Sequence, residues 1–130
     1  MKWTSLEVVG MIEKIKSILK DINPKTEYQV RPPIDKRAEN TEVISFYFFN
    51  ERYVLKGDGV GRLIGRELQV DVFSTRPITD TRDKVRIALE KTNEFIFNYA
   101  DERVEDIKGE RLYHTILQFA VKGVKNGKDF

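Results

Sequence analysis

The chain has 130 residues, of which 40% are hydrophobic and 34% charged, with 23 Lys and Arg against 21 Asp and Glu. This length and hydrophobic content predict one folded domain, and a net charge of +2 is too small to indicate a nucleic-acid-binding protein. Because the chain has no Cys and one His, it excludes disulfides, thiolate zinc sites and any metal site that needs two histidines from one chain. The sequence contains neither a signal-peptide pattern nor a membrane-length apolar run, so we expect a soluble protein made in a cytoplasm.

The first predicted element is an amphipathic helix. Apolar residues recur at steps of three and four over residues 8–22, and Thr4 with Glu7 fits a capping box. Asn23 and Pro24 end the pattern, because proline disfavours a helical predecessor and has no N–H to donate. We predict that this helix packs on the core; docking on a partner chain is the alternative for its apolar face.

A short strand and a long loop are predicted next. Residues 27–31 alternate briefly between polar and apolar side chains, whereas residues 32–40 contain two prolines and a charged run without periodicity. This loop is longer than the usual connection of about four to six residues. Since long loops of compact domains often carry function, residues 32–40 form a candidate binding loop.

The middle of the chain predicts several strands. Residues 43–49 are rich in β-branched and aromatic residues on both faces, which is typical of a strand that is covered on both sides. Residues 50–52 are a candidate turn, 53–55 a further piece of strand, and the glycines of 57–61 a wide turn. Residues 66–74 alternate strictly and predict a half-buried strand.

A second helix and a last strand complete the pattern. We predict the helix over residues 79–99, because its apolar residues fall on one face and Asp80 suits a helix start. A charged connection over 101–110 then leads to a strand over 111–121. Strands grouped between helices predict an α+β fold: a mostly antiparallel sheet of about four strands, with two main helices packed on one face. We expect a single domain over residues 1–122 and a flexible tail over 123–130.

Catalytic and cofactor sites are weakly indicated. Four glycines between residues 57 and 65 match neither the dinucleotide-binding spacing nor that of a phosphate-binding loop, so we expect no cofactor. The order of Asp58, Glu67 and Asp71 leaves open a small Mg²⁺-dependent nuclease, because carboxylates are the ligands that Mg²⁺ prefers. His114 has no Ser or Asp partner that spacing can assign, and we expect it at the surface or the sheet edge.

Basic residues lie in or beside the two predicted loops. If the loops converge, these residues form an exposed docking surface for a protein partner; a solvated charged rim is the alternative. Few aromatic residues are interleaved with them, so specific nucleic-acid binding is not expected. The candidate interface residues are Arg31, Lys36, Arg37, Arg62 and Arg66.

The order of these segments resembles the tail terminator proteins of long-tailed bacteriophages, which complete the tail and join it to the head. The resemblance covers about residues 5–122. It lies in the opening helix that ends at Asn23-Pro24 and in the later segments 28–33, 45–49, 68–74, 80–99 and 114–119.

This resemblance implies a phage or prophage virion protein that acts by binding and has no catalytic residues. Such a protein forms a ring of its own copies, usually a hexamer. The ring caps the tail tube protein, ends tail polymerisation and offers a surface to the head connector protein. Another phage connector or an unrelated small binding module is the remaining alternative, and none of these roles involves a membrane.

Overall fold

The computed structural model describes residues 5–55 and 62–122 of the chain. The described residues form an α+β fold, as the sequence predicts. In chain order the elements are α1 (Ser5–Ile22), β1 (Thr26–Tyr28), β2 (Val43–Leu55), β3 (Arg62–Ser74), α2 (Thr81–Glu90), β4 (Phe95–Ile107) and β5 (Glu110–Val121).

The strands form one mostly antiparallel sheet in the order β1-β2-β3-β5-β4. β1 runs parallel to β2, and the other neighbours are antiparallel. Two long hairpins, β2–β3 and β4–β5, meet where β3 pairs with β5. The mostly antiparallel sheet is therefore confirmed, with five strands where the sequence predicts about four.

Both helices pack on the same face of the sheet, as predicted. α1 contributes Ile15 and Leu19 and α2 contributes Val85 and Leu89, all of them fully buried. Burying side chains of this size contributes roughly 1.5–3 kcal/mol each. The sheet supplies the other side of this core with Ile44, Phe46, Leu68, Val70, Val72, Phe95, Leu117, Phe119 and Val121.

α1 ends at a turn that the side chains of Asn23 and Thr26 stabilise by hydrogen bonds. The side-chain amide of the buried Asn23 donates to the carbonyl oxygen of Glu42 at 2.6 Å, and its side-chain oxygen accepts from the Lys25 amide at 2.9 Å. The Thr26 hydroxyl donates to the Asn23 carbonyl at 2.6 Å. These bonds satisfy polar groups at the buried helix end, which confirms the predicted stop. The predicted capping residue Thr4 lies outside the described residues.

β1 and β2 differ from the prediction in their bounds. β1 is the short stretch Thr26–Tyr28, and Gln29 follows it with a φ of 65°. The turn predicted at residues 50–52 is wrong, because β2 continues to Leu55. The register of β2 on β3 shifts between Phe49 and Arg52, and such a bulge adds residues without ending the ladder. The glycines predicted to form a wide turn, residues 57–61, lie outside the described residues.

The helix predicted over residues 79–99 is wrong beyond Glu90. α2 has only ten residues, and Asn93 follows it in the left-handed region with a φ of 62°. Residues 95–107 then form β4 rather than a helix end and a charged connection, and they pair with β5 along most of their length. A tight turn at Lys108 and Gly109, with φ of 52° and 79°, joins the two strands. Asn and Gly tolerate positive φ, which explains why Asn93 follows α2 and why Gly109 lies in the turn between β4 and β5.

Candidate protein-interaction surface

The sheet has two faces of different character. The helix face carries the apolar core under α1 and α2. We call the opposite surface the far face; successive side chains along each strand point alternately to the helix face and to the far face. On β3 and β5, the far face includes Gln69, Asp71, Phe73, His114, Ile116 and Gln118.

Two of the candidate interface residues lie together at one end of the far face. The guanidinium carbon of Arg31 lies 5.5 Å from the centroid of the Phe73 ring, within cation–π range. Lys36 forms an ion pair with Glu110 at the start of β5. Both cations are exposed. These contacts connect the loop that follows β1 to β3 and to the β4–β5 hairpin.

The other three candidates lie in the loop and in β3. Arg66 lies on the helix face, half-buried rather than exposed as predicted, with its guanidinium carbon 5.6 Å from the Phe48 ring centroid. Arg37 is exposed in the loop, where its amide bonds to the Asp35 carboxylate at 3.0 Å. Arg62 is the first residue of β3. A docking role for any of the five stays a prediction.

A groove separates the loop from the tip of the β4–β5 hairpin. Its volume is about 610 Å³, within the range of roughly 300–1,000 Å³ that ligand pockets occupy. Arg31 and Lys36 line it from the loop, Phe73 from β3, and Ile107 and Leu112 from the hairpin. The structure therefore places two of the predicted residues at the wall of a cleft.

His114 belongs to a partly buried network on β5, a strand inside the sheet, so its predicted position at the surface or the sheet edge is wrong. Its Nε2 lies 2.7 Å from Asp71 Oδ1 and its Nδ1 lies 3.1 Å from Glu105 Oε1. The side chain of His114 is 13% exposed and that of Asp71 is 7% exposed. The imidazole also stacks on Phe73, with ring centroids 4.2 Å apart. His114 therefore joins β3, β4 and β5 across the far face.

Two glutamines extend this network along the far face. The Gln69 amide donates to Asp71 Oδ1 at 3.0 Å, and the Gln118 amide donates to the Gln69 side-chain oxygen at 3.0 Å. The Asp71 carboxylate thus accepts bonds from two side chains, which compensates for its burial. Burial, followed by the charge of Asp71, raises the pKa of Tyr47 on the neighbouring strand.

The pKa of His114 is raised by its two carboxylate partners. Burial alone would lower it, because desolvation disfavours the imidazolium. The hydrogen bonds to Asp71 and Glu105, together with their negative charges, outweigh that penalty. The folded protein therefore favours the imidazolium form more than the unfolded chain does.

The residues of the nuclease hypothesis do not assemble into a described metal site. Asp58 lies outside the described residues, and Asp71 is engaged by His114 and Gln69. Within residues 5–55 and 62–122, no three His, Asp or Glu side chains are grouped so that they could hold a metal ion. Over the same ranges, no helix is long and apolar enough to cross a membrane.

Comparison with known proteins gives a likeness of fold. No protein-family model and no curated protein sequence matches the chain. The fold is similar to a chain in the solved structure titled "Virion of native gene transfer agent (GTA) particle", with a TM-score of 0.54 and 12% sequence identity. The match covers 85% of this chain and 89% of that chain. Nearly the whole fold is therefore one that also occurs in a virus-like particle.

Sequence reasoning missed the His114 network because of one wrong element. Glu105 lies in the stretch that the sequence analysis predicts to be a connection, and so it has no predicted neighbour. The stretch is charged on both faces, with Glu102 and Asp106 on one side and Asp101 and Glu105 on the other. No alternation of apolar and polar residues marks it as a strand. Asp71, by contrast, is on the predicted face of its strand.

Proposed function

We propose that this chain is a structural protein of a bacteriophage or prophage particle, acting by binding and not by catalysis. The observation that carries the proposal is the fold it shares, over 85% of its length, with a chain of a gene transfer agent virion. The chain would then reside in the virion, and its partners would be other virion proteins.

Within that class we propose the role of tail terminator. The α+β architecture, the long loop after β1 and the closing strand β5 fit the resemblance to this family. The protein would assemble into a ring of its own copies, usually six, on the end of the tail tube. The ring would stop addition of tail tube protein and present its other side to the head connector protein.

The surface of the described residues supports an assembling protein. A closed ring needs two different complementary patches on each subunit. β4 is an edge strand whose outer side has no partner among the described strands, and it exposes Ile96, Tyr99 and Val104. An edge of this length, with large apolar side chains, is suited to contact another chain.

Electron microscopy of tails assembled without this protein tests the role. We expect tubes of uncontrolled length that carry no heads, and wild-type protein supplied from a plasmid should restore one defined length. Tails of normal length in its absence would refute the terminator role. Mass spectrometry of purified particles tests the broader proposal separately, because a virion protein must be present in them.

A further inference from the structure

We infer that the groove between the loop and the β4–β5 hairpin binds an extended segment of a neighbouring virion protein, in which an apolar side chain is flanked by carboxylates. The inference deepens the proposed function by stating the chemistry of one partner. It rests on that function only for the source of the segment, since the recognition chemistry comes from the groove itself.

The floor of the groove is apolar. Ile34 of the loop, Phe73 of β3 and Leu112 of β5 line it in half-buried positions, and Ile107 adds a side chain that is 50% exposed. Removing such surface from water contributes about 25 cal/mol per Å². This floor therefore favours a ligand that carries an apolar side chain over a purely ionic one.

The rim of the groove is cationic. Lys108 and Arg111 of the hairpin face it together with Arg31 and Lys36, whereas the wall has two carboxylates, Glu105 and Glu110. Both carboxylates are already engaged, Glu110 by Lys36 and Glu105 by His114. The surplus charge of the groove is positive.

Two of the rim cations are available to a ligand. Among the described residues, Arg31 and Lys108 have no carboxylate partner, and the guanidinium of Arg31 lies over the Phe73 ring. A segment with carboxylates on both sides of its apolar side chain would pair with one cation from the loop and one from the hairpin. Such charge complementarity directs specificity and speeds association.

The residues around the groove favour a peptide ligand over a nucleic acid. Among the described residues that line the groove, Phe73 is the one aromatic residue, and it already contacts both His114 and Arg31. A base would have no free aromatic ring on which to stack. Ile107, by contrast, ends the edge strand β4, whose outer side is unpaired among the described strands, so an extended chain has backbone groups within reach.

Calorimetric titration with synthetic peptides tests the inference. The probe is acetyl-Gly-Glu-Phe-Asp-Gly-amide; one matched peptide replaces the acids with Gln and Asn, and another replaces Phe with Ala. We expect saturable binding of the first at one site and at least about tenfold weaker binding of the other two, equivalent to ~1.4 kcal/mol.

Protein variants locate the site. Arg31→Glu with Lys108→Glu should weaken binding of the acidic peptide at least about tenfold. The matched control, Lys20→Glu with Lys91→Glu, changes two exposed lysines in and beside the helices by the same charge and should bind as wild type does. Circular dichroism spectra of both variants should match that of the wild type, which shows that the fold is intact.

Four results would overturn the inference: no saturable binding to the wild type, equal binding of the neutral peptide, undiminished binding by the folded Arg31/Lys108 variant, or competition by a single-stranded oligonucleotide for this groove. Because the titration uses purified protein and peptide, these results do not depend on tail length. If the peptide does not bind but tails made without the protein lose their defined length, only the groove inference is rejected. If the peptide binds but tails made without the protein keep their normal length, only the terminator role is rejected.

Discussion

The residue with the clearest chemical consequence is His114, the one histidine of the chain. Asp71 and Glu105 raise its pKa in the folded protein above the ordinary value of about 6.5. The folded state therefore binds the imidazole proton more tightly than the unfolded state does. This contribution to stability is fully present below about pH 6.5 and is lost as the pH rises through the raised pKa.

Urea unfolding between pH 5.5 and pH 9 measures this linkage. We expect the free energy of unfolding of the wild type to fall above about pH 6.5, relative to that of His114→Gln. The glutamine variant has no imidazole, so every other titrating group is common to both proteins. Parallel pH profiles for the two proteins would contradict the assigned contacts of His114.

Asn23 is a second residue whose side chain performs a definable task. Both polar ends of this buried amide are bonded to backbone groups beyond α1. Asn23→Ala should lower the free energy of unfolding by about 1–3 kcal/mol, because the Glu42 carbonyl and the Lys25 amide lose their partner. Asn98→Ala, at an exposed position of β4, serves as the control and should change it by less than about 0.5 kcal/mol in urea unfolding.

At the scale of the element, α2 shows how one face of a short helix is held. Leu89 is fully buried and Ile87 is 62% exposed, two positions apart in the same helix. Leu89→Ala should destabilise the protein by about 2–5 kcal/mol, through lost burial and the cavity that remains. Ile87→Ala removes a side chain of the same size and should cost under about 0.5 kcal/mol, with both variants measured by thermal unfolding. Equal effects would mean that α2 does not pack as described.

The length of α2 also shows where sequence periodicity stops being informative. The predicted helical stripe consists of Val85, Leu89, Ile96 and Tyr99. In the structure Ile96 and Tyr99 are exposed, whereas Phe95 and Phe97 reach the core from a strand, at a spacing of two. The local signal for the break is Asn93, which adopts a positive φ. Strongly patterned elements such as α1 and β3 are predictable, because apolar and polar residues separate onto opposite faces of each.

At the scale of the whole molecule, the candidate site depends on contacts that sequence spacing does not give. Asp71 and His114 are 43 positions apart, and they meet because β3 pairs with β5 rather than with β4. The basic residues were predictable as exposed cations near loops. Their separation onto two faces of the sheet was not predictable, because it depends on which aromatic ring each one contacts. Arg31 contacts Phe73 on the far face, whereas Arg66, an odd number of positions from Phe73 along β3, lies on the helix face.

The two exposed arginines of the loop that follows β1 provide a test of the predicted docking surface. Arg31 and Arg37 are exposed in one loop, so Arg31→Glu with Arg37→Glu should block assembly on the tail without lowering the melting temperature. Assembly is measured by tail-length complementation in electron micrographs, and stability by circular dichroism. The control, Lys20→Glu with Lys91→Glu, makes the same charge change on the helix side and should leave tail length normal. Normal tails with the loop variant would show that the loop is not the docking surface, because a reversal of two positive charges at an interface cannot be silent when its partner is acidic.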